Sequence, residues 1–143
     1  MSGYGQHALD GASAVDLVVA LYDGIIRFLY QACDAVDHGD ETARRAAVKR
    51  ALDIILHLQA RLRTDVGGAP ANALSEFYAS TFAIILQGSQ AASRAKFEHA
   101  IGCVRNVREA WRQAARDAGA MPLTGMTTGR EDRAEGAALR WDA

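Results

Sequence analysis

Proline occurs twice and cysteine twice in 143 residues, and no apolar run approaches the roughly 20 residues that span a bilayer. So little proline, with alanine abundant between the charges, biases the chain toward helix. Cys33 and Cys103 lack metal-ligand spacing and fall within helical patterns, so they read as reduced core thiols rather than a disulfide. The start, MSGYGQHALDG, has neither the basic nor the apolar region of a signal peptide. Neither sign of charge dominates: 16 Lys and Arg stand against 17 Asp and Glu, a net charge of −1. That balance argues against a dedicated binder of nucleic acid or anionic membrane. Haem-attachment motifs, glycine-rich phosphate loops and nucleophile elbows are missing as well, and no cofactor is expected. These absences place the chain in the cytoplasm, with no nucleic-acid partner and no membrane insertion.

What is present is helical periodicity. The length suits one domain with a real core, and half the residues are apolar against 23% charged, as in globular proteins. Residues 1–12, with glycines at 3, 5 and 11, read as an irregular N-terminal arm. Ser13 followed by Asp16 resembles a capping box, and a first helix runs from there to about His38. Gly39 and Asp40 interrupt the pattern, and Asp40 can cap a second helix that reaches about Thr64. DVGGAPAN reads as a loop, with Asn72 as the cap of a third helix ending near Gln90. A fourth spans about Ser93 to Ala118, before Gly119 and Pro122. Residues 119–143 carry no sustained period and read as a mobile tail. The expected fold is all-α: an antiparallel four-helix bundle over residues 13–118, with an irregular arm and a flexible C-terminal tail.

The helices are not equivalent in apolar surface. On the fourth, Phe97, Ala100, Ile101, Val104, Val107 and Trp111 fall within an arc of about 140°, an ordinary bundle stripe. On the first, the apolar arc from Leu17 to Val36 covers about 200°, leaving a narrow polar stripe of Asp16, Asp23, Arg27 and Asp34. The third behaves likewise, with Leu74, Phe77, Tyr78, Phe82, Ile84, Ile85 and Leu86 spread over about 200°. On the second, Ile54, Ile55, Leu58 and Leu62 belong to a normal face, while Leu52 and Leu56 lie outside it. A surplus of large side chains, each worth roughly 1.5–3 kcal/mol when buried, needs an outlet. Three are open: a groove for a partner's amphipathic segment, a homodimer face, or cover by the chain's own arm or tail. Wide burial of two diagonal helices accounts for the same pattern equally well.

Several residues have a plain structural reading beside a functional one. Tyr22 and Trp111 read as core, Asp23 as part of the solvated stripe, and Arg44, Arg45, Lys49 and Arg50 as a solvated basic face. Gly24 permits the close approach of another backbone. Trp141, in the tail, has no assigned role. A di-iron bundle needs inward Glu-x-x-His pairs, and neither Glu41, Glu76, Glu98 nor Glu109 has His three residues on. The pairs Asp34–His38 and Asp53–His57 supply too few ligands for a closed metal site. An enzyme is not expected.

The residues assembled above resemble the flagellar secretion chaperone (FliS) family. SAVDLVVALYDGIIRFL, from Ser13 to Leu29, is similar to the opening of that family's first long helix, with Tyr4 and Gln6 at the usual distance ahead. LRTDVGG from Leu62, NALSEFYASTFAIILQGS from Asn72 and REAWRQA around Trp111 follow in the family's order, so the likeness covers about residues 4 to 118. Ala14 stands where a proline is usual, Gly88 where alanine is usual, and Leu52 and Leu56 where polar residues are frequent.

The resemblance implies a cytosolic chaperone that covers the C-terminal segment of flagellin, prevents premature polymerisation and keeps the subunit competent for type III export. The flagellar export apparatus is then a further partner. The family's arm can occupy part of the site before the client arrives, with Tyr4 and Leu9 as its apolar anchors here. The residues expected to touch the partner are Tyr4, Leu9, Leu17, Leu21, Leu52, Ile54, Ile55, Leu56, Leu58 and Phe77. The alternative is a homodimeric helical adaptor that uses the same apolar faces without flagellin.

Overall fold

In a computed structural model the backbone is described for residues 3–62 and 64–120, and side chains for 14–62 and 67–118. The described residues form four helices: α1 (Gly3–Asp37), α2 (Glu41–Ala60), α3 (Thr64–Ala91) and α4 (Arg94–Ala120). Each helix packs on its neighbours in sequence and α4 closes back on α1, so α1 and α3 are diagonal. Cross-helix partners show the antiparallel run. Asp37, Tyr30 and Asp23 of α1 meet Arg94, Arg105 and Arg108 of α4 in turn, descending one helix while ascending the other.

Two tight corners set this arrangement. At the first, Gly39 takes a left-handed φ of 65°, and the Asp40 amide returns to the Ala35 carbonyl at 2.8 Å, a Schellman closure. The Asp40 carboxylate then accepts from the Ala43 amide at 3.0 Å and caps α2, as its position between two periodic segments suggested. The second corner repeats the geometry without glycine: Ala92 has φ 48°, and the Ser93 amide reaches the Gly88 carbonyl at 2.8 Å. The Ser93 hydroxyl accepts from the Lys96 amide at 3.2 Å to start α4.

Other boundaries differ from expectation. The helix expected from Ser13 begins at Gly3, so the backbone expected to be an irregular arm is helical from residue 3. Gly5 and Gly11 weaken a helix without ending it, and extending an established helix avoids the nucleation cost. Asp16 is therefore mid-helix and exposed rather than part of a start signal. Helix α2 stops at Ala60, four residues early, and its last turn tightens as the Leu62 amide bonds to the Gln59 carbonyl at 3.2 Å. The expected loop DVGGAPAN is mostly helical: α3 breaks at Gly68 (φ 64°, ψ −144°) and resumes at once. Pro70 sits in the first turn after the break, where a missing N–H costs nothing, so Asn72 is an exposed helical residue and not a cap. The expected tail from 121 onward lies outside the described residues.

The core runs the length of the bundle. Val18, Tyr22, Ile25 and Leu29 of α1 meet Ala51, Ile55 and Leu58 of α2, Tyr78 and Ile85 of α3, and Phe97, Ile101, Val104 and Trp111 of α4. Polar groups inside it are paired. The Tyr22 and Tyr78 hydroxyls lie 2.7 Å apart across the diagonal, and the Trp111 indole N–H donates to Tyr22 at 3.1 Å. Burial pushes the Tyr22 phenol up to about 12, only partly offset by those two hydrogen bonds, and raises Tyr78 for the same reason. Both cysteines are free. Cys33 is buried, and that burial raises its thiol pKa.

Candidate functional site

Four seams run between neighbouring helices, and their chemistry differs. The α1–α4 seam is polar and cross-linked. Asp23 pairs with Arg108 and Asp37 with Arg94, while Arg105 donates to the Tyr30 hydroxyl at 2.7 Å and lies over its ring. Asp23 was expected on a solvated stripe. It is half-exposed and helps lock α4 against α1.

The α2–α3 seam is apolar and open. Leu52, Leu56 and Gln59 recur at i, i+4 and i+7 on α2, and Ser75, Ala79, Phe82 and Leu86 follow the matching period on α3. The two rows face each other, since Gln59 Nε2 donates to Ser75 Oγ at 2.7 Å. Between them lies a cleft of about 320 Å³ lined by Ile55, Leu56, Gln59, Tyr78, Ala79 and Phe82. Leu56 is 52% exposed and Phe82 half-buried in that lining, and by helical phase Leu52, half-buried, and Leu86, 41% exposed, continue the two rows beyond it. Gln59 Oε1 is buried with no hydrogen-bond partner among the described residues. A buried acceptor left unmade is costly, so this wall of the cleft is chemically incomplete.

The other two seams are mixed. Between α1 and α2, Leu17 is 46% exposed, and Leu21, Phe28 and Ile54 are half-buried. Guanidinium groups of Arg27 and Arg50 cover the Phe28 ring at 5.0 and 5.6 Å. Gly24 makes room here for a side chain rather than a backbone, since a Cβ on it would lie 3.1 Å from Ile54 Cδ1. Between α3 and α4, Gly88 fits beneath Phe97, and a Cβ there would sit 3.0 Å from Phe97 Cε1. Phe77 and Ile84 precede Gly88 by eleven and four residues, so helical phase puts them on that same flank of α3.

The residues expected to touch a partner therefore do not form one patch. Leu56 lines the α2–α3 cleft and Leu52 continues its row along that seam, Leu17, Leu21 and Ile54 fall on the α1–α2 seam, and Phe77 on the α3–α4 side. Leu58 is fully buried in the core, and Ile55, 2% exposed, is the cleft floor. Neither presents free surface, because each lies on the inward face of α2. The side chains of Tyr4 and Leu9 lie outside the described residues. The sequence reading missed Phe82, Gln59 and Ala79 as cleft residues and Leu86 as the continuation of their row. Their signal was the 82/86 and 75/79 spacing inside the overlong apolar arc of α3. The basic face is only partly solvated: Arg45 and Lys49 pair with Glu41 at 3.4 Å and Asp53 at 2.8 Å, but the Arg44 side chain is only 13% exposed.

Among the described residues, no group of three or more His, Cys, Asp or Glu is placed to hold a metal ion, and no helix is long and apolar enough to cross a membrane. Apolar furrows on a bundle bind amphipathic segments, so fold and surface together define a helical protein-binding module. The sequence model described as Flagellar protein FliS matches residues 1–118. The flagellar secretion chaperone FliS of Salmonella typhimurium is 32% identical over 109 residues, which cover 76% of this chain and 81% of that protein. That of Campylobacter jejuni is 28% identical over 112 residues, covering 78% and 88%. The chain belongs to the FliS family of flagellar secretion chaperones.

Proposed function

We propose that this protein holds the C-terminal segment of flagellin in the cytoplasm, keeps it from polymerising and delivers it to the flagellar type III export apparatus. The observation that supports this most is the α2–α3 cleft, where half-exposed Leu56 stands beside an open floor of Ile55, Tyr78, Ala79 and Phe82. A segment that is disordered when free gains helix and buried area by lying along that furrow, and this offsets its ordering entropy. The mixed seams on either side, with Leu17 on one and Phe77 on the other, give a wrapping chain further apolar contacts. Chemistry at this surface is confined to covering and releasing, since the work required is differential binding and not bond making.

Calorimetry with a peptide of the last forty or so residues of a flagellin, long enough to wrap the bundle, tests this directly. Binding near one to one, with favourable enthalpy and negative heat-capacity change, is expected. A tight dimer of the chain that ignores the peptide would favour the adaptor reading instead.

A further inference from the structure

The α2–α3 cleft has two features that a greasy client segment does not by itself explain. Its wall carries a buried acceptor, Gln59 Oε1, without a donor among the described residues, and two aromatic rings, Tyr78 and Phe82, line it beside Ile55, Leu56 and Ala79. The ligand that answers both is an indole. It has a large apolar body and one N–H, a donor that never accepts. Of the two tryptophans in the chain, Trp111 is core and Trp141 lies outside the described residues.

The topology starts the segment that carries Trp141 from the right end. In an antiparallel bundle the C-termini of α2 and α4 and the N-terminus of α3 share one end, and Gln59 lies at the C-terminal end of α2. Helix α4 stops at Ala120, so twenty residues, 121–140, separate it from Trp141. Extended, they reach roughly 65 Å, and as a coil they span about 25 Å. The bundle diagonal from α4 to α2 is only about 13 Å at ordinary helix spacing. Tethering on that scale gives an effective concentration of millimolar order, enough to populate even a weak contact. The family match covers residues 1–118, so this segment lies outside it.

We propose that the Trp141 indole seats in the cleft lined by Ile55, Leu56, Gln59, Tyr78, Ala79 and Phe82, donates its N–H to Gln59 Oε1, and so acts as a built-in competitor for the client. Leu56, half-exposed, is the side chain that yields to admit the ring. The contact itself is independent of what the client is; only the competition rests on the flagellin reading. At millimolar effective concentration and an intrinsic affinity near 0.1–0.3 mM, removing the ring raises client affinity by about 3–10-fold.

The full chain carrying fluorotryptophan gives two fluorine resonances, assigned by Trp141→Ala. The Trp141 resonance should differ from its position in the denatured chain, and should move to that position with Leu56→Glu. Gln59→Leu, which removes the acceptor, should shift it part of the way. A Trp141 resonance already at the denatured position, or one displaced from it but indifferent to both variants, overturns the assignment. Added flagellin peptide should release Trp141 as it binds. Full-strength peptide binding with Trp141 still sealed would overturn the competition. A peptide that fails to bind, while Trp141 still responds to Leu56→Glu, would sink the flagellin reading and leave the docked indole standing.

Discussion

The α1–α4 and α2–α3 seams are built from helices of the same bundle and differ in what they leave to water. On the first, charges and aromatic hydroxyls cross-link the chain to itself: Asp37 to Arg94, Tyr30 to Arg105 and Asp23 to Arg108, above the buried Trp111–Tyr22–Tyr78 relay. On the second, Gln59 to Ser75 is the described side-chain hydrogen bond, and the remainder is leucine, phenylalanine and alanine around an open cleft. The first seam pairs its charges across itself and offers another chain little apolar surface, although Arg108 Nε is buried there without a partner among the described residues, just as Gln59 Oε1 is on the second. What the second adds is half-exposed leucine beside an open apolar cleft. On the proposed function, stability rests mainly on one side of the fold and binding on the other, with Tyr78 reaching both, and mutations should separate them.

The largest effect is expected at Trp111, which anchors the closed corner. Trp111→Ala removes a nearly buried ring and leaves the Tyr22 hydroxyl one donor short, costing about 3–5 kcal/mol of unfolding free energy in denaturant titration. Client affinity of the molecules that remain folded should barely change. A mutant with native stability would mean that this corner does not hold the bundle.

The same corner predicts an alkaline limit. The Tyr22 phenol is raised to about 12 in the folded protein against 10.0 for the free group, so folding favours its protonated form. The stability it contributes is intact below pH 10 and is lost as pH rises from there through 12. Melting temperature followed over that window should fall steeply, and Tyr22→Phe should make the fall shallower, leaving the share of Tyr78, whose phenol burial also raises. A flat profile in the native chain would contradict the buried relay.

A smaller effect sharpens the border between α3 and α4. Gly88→Ala gains helix propensity of at most about 1 kcal/mol, but its Cβ would press on Phe97 at 3.0 Å and on Lys96 Cβ at 3.2 Å. Phe97 is fully buried and has little room to yield, so a net loss of about 1 kcal/mol is expected by thermal unfolding. A stabilised variant would show that Phe97 moves freely. The smallest effect belongs to Asp23→Asn. Its partner Arg108 is only partly covered, so the loss should be about 0.2–1 kcal/mol, fading with added salt.

Much of the fold was legible because helical period and corner chemistry are local. The span of α4, the Gly39–Asp40 corner and the burial of Tyr22 and Trp111 all follow from near neighbours in sequence. The ends of α1 and α3 did not, because glycine and proline were read as breaks. In fact glycine only weakens the start of α1, and Gly68 alone turns the chain before Pro70 enters a first turn. The open cleft was half legible. Leu52 and Leu56 stood out as apolar residues beyond the α2 stripe; Leu56 lines the cleft and Leu52 continues its row. Ile55 and Leu58 were placed with them, although a helical wheel gives the direction of burial without saying which neighbour fills it. Phe77 and Phe82 shared one broad arc, and only the square order of the helices sends them to opposite flanks of α3.

The most direct test sets the two seams against each other in one titration series. Leu56→Glu and Asp23→Asn are each measured for unfolding free energy and for affinity toward the flagellin C-terminal peptide. Leu56→Glu should lower affinity at least tenfold, about 1.4 kcal/mol, while stability moves by no more than about 0.5 kcal/mol; Asp23→Asn should leave affinity unchanged. Loss of folding in step with binding at Leu56, or unchanged binding there, would contradict the assignment of the open seam to the client.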